Sequence, residues 1–83
     1  MNYLYFQTEF EKACKQNDIE KANEIYTNTK HLNAIDIHAN DDQLFKHVCQ
    51  MYNTRTIEFL FNMSLNIDKP FTRKSIEVLR SNM

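Results

Sequence analysis

The sequence predicts an all-α fold, with two helical hairpins in tandem followed by a truncated third helical unit. Three observations lead there. Phe10, Ala13, Cys14, Ile25 and Tyr26 recur 35 residues later as Phe45, Val48, Cys49, Leu60 and Phe61, so one apolar skeleton is used twice. Within each copy the apolar residues fall at helical spacing. Between the copies stand polar clusters rich in Asn and Asp, and the chain has no glycine and a single proline. The expected units cover about residues 5–40 and 41–68, with a last helix over about 71–81, in one domain of 83 residues.

The first helix carries Phe6, Phe10, Ala13 and Cys14 on one stripe. Thr8 to Glu11 has the form of a capping box, which places a helix start there, although the apolar run from Tyr3 to Phe6 allows a start as early as Asn2. Asn17 and Asp18 end this helix and cap the next. The second helix presents Ile19, Ala22, Ile25 and Tyr26. Its Glu20 and Glu24 have no basic residue four positions on, so packing must hold it.

From Asn28 to Asp41 the pattern is polar, broken only by Ile35 to Ile37, which suits a finger leaning on its neighbours. Asn40, Asp41 and Asp42 gather cap-forming side chains and negative charge at the start of the third helix, whose stripe is Leu44, Phe45, Val48, Cys49 and Tyr52. Asn53 and Thr54 open the fourth. Here Ile57, Phe59, Phe61, Met63, Leu65 and Ile67 alternate as in a strand, but Leu60 breaks the alternation and the earlier copy is helical, so a helix over about 54–63 is expected. Pro70 stops it, and Thr72 or a residue near it starts a last short helix with Ile76 and Leu79. With no glycine, turns that need positive φ fall to Asn or Asp, and Asn17, Asn28, Asn40 and Asn53 are the candidates.

Helix, turn, helix and finger at this period resemble the ankyrin repeat. The first-helix pattern of that family, T-P-L-H-x-A-A, is similar to Thr8 to Cys14 and to Gln43 to Cys49. Its V-x-x-L-L core is similar to Ala22, Ile25, Tyr26 and to Ile57, Leu60, Phe61. Its closing G-A-D-V-N is similar to Ser64 to Asp68 and, more loosely, to Leu32 to Asp36. The stretch Asp36 to Phe45 also resembles the divergent ankyrin repeats of large DNA viruses. That implies a viral protein acting in the cytoplasm of an infected host cell.

The formal net charge of −1 gives no reason to expect nucleic acid as a partner. No apolar run approaches the roughly 20 residues of a membrane span, so an intracellular protein with no membrane partner is expected. Two cysteines without a CxxC pair suit buried free thiols. His31, His38 and His47 match no short metal-ligand spacing, and there is no phosphate loop, triad or paired-carboxylate centre. No enzyme activity, metal or cofactor is expected.

Binding through a surface is the expected function. The resemblance implies that partner protein contacts lie on the finger tip and the open face of the first helix of each unit. In this chain those are Ile37, His38, Asn40, Asp41, Asp42, Lys46, His47 and Gln50, with Lys12 and Lys15 in the first unit. Self-association is the alternative, because Phe59 and Met63 fall off the main stripe of the fourth helix and the ends of a short array are apolar.

Overall fold

The computed structural model describes residues 4–81, with Leu79 and Ser81 described for the backbone alone. The expected helix start at Asn2 and the Leu79 side chain lie outside the described residues. Five helices account for the fold: α1 (Leu4–Lys15), α2 (Ile19–Thr29), α3 (Ala39–Gln50), α4 (Thr54–Asn66) and α5 (Arg73–Ser81), with a 3₁₀ turn at Lys30–Leu32 after α2. There is no strand among the described residues, and no helix is long and apolar enough to cross a membrane. The alternation in the fourth segment is thus carried on a helix, which runs three residues past the expected end.

The helices form two layers. α1 packs on α2 and α3 on α4 as hairpins, while α1, α3 and α5 lie in contact along one layer and α2 meets α4 in the other. Phe10, Ala13 and Cys14 are buried in α1, as are Phe45, Val48 and Cys49 in α3, so the same apolar positions face the core in both helices. The second helices differ. Ala22 is buried, but its counterpart Ile57 is half-exposed and Phe61 is exposed. Phe59 and Met63, expected at the surface, turn inward instead. Met63 is buried and Phe59 lies 6.3 Å from the ring of Phe10.

Polar bonds fix the two units against each other. The Thr56 hydroxyl meets the side-chain oxygen of Asn17 at 2.8 Å and the Cys14 carbonyl at 3.3 Å, and the Asn53 amide donates to the Lys15 carbonyl. Arg55 pairs with Glu20 at 3.2 Å, across 35 residues. Since both groups are well exposed, this pair contributes little.

Chain reversal without glycine follows one scheme three times. The N–H groups of Asn17 and Asp18 return to the carbonyls of Cys14 and Ala13, those of Tyr52 and Asn53 to Cys49 and Val48, and those of Asp68 and Lys69 to Leu65 and Ser64. Each is a Schellman closure, which asks its first residue for positive φ. Asn17, Tyr52 and Asp68 supply it, at φ 58, 57 and 57. Asn17 and Asn40 agree with the sequence expectation, while Asn28 lies inside α2 and Asn53 has φ −76. The reason is register: Tyr52 occupies the place of Asn17, so the backbone takes the left-handed turn there whatever the side chain.

The expected capping box at Thr8 is also corrected. Thr8 lies inside α1, which starts upstream, so its hydroxyl meets no helix start.

Tyr52 is 64 % exposed and has little packing to lose, whereas a left-handed non-glycine residue without a short polar side chain costs roughly 1–2 kcal/mol. Tyr52→Asn should therefore raise stability by about 0.5–1 kcal/mol, seen as a Tm gain of about 4 °C in thermal unfolding. The buried thiols make a second prediction. Burial pushes Cys14 up to about 12, with the nearby Glu11 charge adding to it, and Cys49 up to about 11, from a usual 9.0. The folded chain then keeps protons that the unfolded chain releases, so this contribution to stability is whole below pH 9.0 and is lost as pH rises toward 12. Urea titrations across that range should show a steeper decline for the native protein than for Cys14→Ala/Cys49→Ala.

Candidate functional site

The start of α3 is the least ordinary backbone in the protein. Asn40, Asp41 and Asp42 all have positive φ, at 57, 59 and 61, which makes a left-handed turn inside the helix. Asn and Asp tolerate this region better than most residues, yet three in succession need outside support. Asp42 provides it. Its carboxylate is buried, with one oxygen 2.6 Å from Nδ1 of His38 and the other accepting from the Ser75 hydroxyl at 2.7 Å.

The network extends at both ends. Nε2 of His38 meets the backbone carbonyl of Lys69. Both ring nitrogens thus have oxygen partners within the protein. On the other side Ser75 accepts from the Thr72 hydroxyl at 3.1 Å, and its N–H donates to the Thr72 oxygen at 3.2 Å, the expected N-cap of α5. Phe71 closes the joint, stacked on Phe45 at 4.0 Å and edge-on to His38 at 4.8 Å.

Three of the ten expected partner residues are engaged within the protein itself. Ile37 and Asp42 are 2 % and 4 % exposed, and His38 spends both nitrogens inside the protein. Asp42 belongs to the left-handed turn, and its carboxylate lies inward against His38 and Ser75. The finger itself is held from below. Oε1 of Gln7 accepts the Asp36 N–H at 2.8 Å, and Nε2 of Gln7 donates to the Asp36 carbonyl at 2.9 Å, so one side-chain amide grips one residue of backbone.

The other expected residues remain at the surface. Asn40, Asp41, Lys46, His47 and Gln50 line one shallow depression of about 290 Å³ together with Gln43, and the Lys46 ammonium lies 3.1 Å from the Asp41 carboxylate. Lys12 and Lys15 are exposed on α1, at the positions equivalent to His47 and Gln50, but they do not line the depression. Among the described residues no group of three or more His, Cys, Asp or Glu side chains could hold a metal.

Sequence reasoning missed a second concavity. A groove of about 600 Å³ opens between the finger and the C-terminal ends of α2 and α4. The sequence signal for it was weak: a single isolated Ile-Asp-Ile in a polar stretch, with nothing to show which helices it would face.

No family model, curated protein or solved structure matches the chain.

The network around Asp42 can be tested by its loss. Asp42→Ala leaves the buried Ser75 hydroxyl and the part-buried His38 ring without their partner and the left-handed turn without support, and should cost about 2–4 kcal/mol in chemical denaturation. Ser75→Ala removes the hydroxyl that donates to Asp42 and accepts from Thr72 but keeps the His38 contact, and should cost less, about 1–2 kcal/mol. Equal small losses would mean that the carboxylate is not the centre of the network.

Proposed function

We propose that the protein is a protein–protein interaction module of divergent ankyrin-like hairpins, and that a partner protein docks on the open face of α1 and α3. The observation that carries this reading is the depression on α3, lined by five of the residues that the resemblance implies for partner contact. Its lining offers amide donors and acceptors, an imidazole and an ion pair, which is chemistry for recognition. The side-by-side packing of α1 and α3 extends that surface toward Lys12 and Lys15. The resemblance of Asp36 to Phe45 to viral repeats favours a target inside an infected cell.

A photo-crosslinking amino acid placed at Gln50 tests the reading in cells, with Glu24 on α2 as the control position. The expected result is a discrete partner adduct from Gln50 that Lys46→Glu abolishes, and none from Glu24. Adducts from Glu24 alone would overturn it.

One observation favours self-association as a second reading. Phe61, Leu65 and Ile67 are 38 %, 53 % and 38 % exposed on or just after α4. Apolar groups clustered in this way mark contact surfaces more often than single exposed residues do. Light scattering at micromolar concentration should then give a dimer that Phe61→Glu/Leu65→Glu dissociates. A monomeric native protein would dismiss this reading.

A further inference from the structure

The groove between the finger and the ends of α2 and α4 falls within the size range of small-ligand pockets, and its lining divides by chemistry. Tyr26, Ile35 and Ile67 supply apolar surface, with buried Ile37 and Met63 beneath them. Tyr26 and Ile35 are only partly buried by the protein itself, and Ile67 is exposed, so apolar area remains for a ligand to cover.

The polar lining is unevenly matched. Asp36 is the sole carboxylate, and it already accepts the His38 N–H at 2.9 Å. The Thr29 hydroxyl donates to the Ile25 carbonyl, and both His38 nitrogens are taken. Lys30 and Lys69 also line the groove, and neither has an ion-pair partner among the described residues. The backbone of Lys69 is pinned by its bond to His38, which keeps this lysine at the groove. Donor capacity and positive charge are left over beside an apolar floor.

We propose that this groove binds a small amphipathic anion, with an apolar body against Tyr26, Ile35, Met63 and Ile67 and a carboxylate or similar head met by Lys30 and Lys69. The apolar body supplies most of the binding, since exposed ion pairs contribute little each, and the lysines select the sign of the head group. This groove shares no residue with the depression on α3, so the inference stands apart from the proposed protein partner.

Decanoate serves as the probe, titrated to about 1 mM into the full chain labelled with ¹⁵N, with decyltrimethylammonium as the equal-length cation. Saturable shifts should appear at the amides of Tyr26, Ile35, Met63 and Ile67 with decanoate, and much weaker ones with the cation. Lys30→Glu/Lys69→Glu, folded by circular dichroism, should weaken decanoate roughly tenfold and reverse the preference. The inference is overturned if decanoate gives no shifts, if they centre on Phe61 and Leu65 or on α3, or if the cation binds equally well. The cation comparison needs no variant, so the outcome does not depend on the charge-reversed protein folding.

Discussion

The carboxylate of Asp42 is the joint on which the arrangement of the C-terminal third depends. One oxygen reaches His38 at the end of the finger, and the other reaches Ser75 in α5. A buried carboxylate with a single partner would be a liability, because desolvation is offset only when its lone pairs are met. With both oxygens met, it converts three separate segments into one site and fixes the left-handed turn that the helix start would otherwise resist. Phe71 then stacks on Phe45 in a position already defined.

The second constraint is the lack of glycine. Each Schellman closure needs one left-handed residue, and this chain meets the need with Asn17, Tyr52 and Asp68. That the same closure occurs with a tyrosine shows which factor prevails. The backbone geometry is set by the hairpin, whose two helices must bury Val48, Cys49 and Leu60 together, and the local preference of the turn residue yields to it.

Helix positions were legible in the sequence wherever one periodic stripe faced one core. Phe10, Ala13 and Cys14, and their counterparts at Phe45, Val48 and Cys49, are of this kind, and so is the N-cap at Thr72. The α4 face was less legible, because burial there depends on which side another helix lies, and residues one turn apart in meaning are one position apart in sequence. The polar joints were not legible at all. Gln7 and Asp36 are separated by 29 residues, and Asp42 and Ser75 by 33, and no pattern of spacing announces pairs at that distance. Of the candidate surface, the depression on α3 was readable because its residues are neighbours on one helix. The groove was not, since its walls come from distant segments.

The grip of Gln7 on Asp36 also gives the molecule a line along which force would pass. The Asp36 backbone is tied to α1, the Asp36 carboxylate to the His38 N–H, the His38 ring to Asp42 and to the Lys69 carbonyl, and Asp42 to α5. Tension applied to the C-terminal helix would be transmitted through this chain of polar links to the first helix. It would load short, directional bonds in series before it loaded the apolar core. Such bonds yield abruptly after little extension, so α5 should behave under tension as a brittle fastening on a more compliant pair of hairpins.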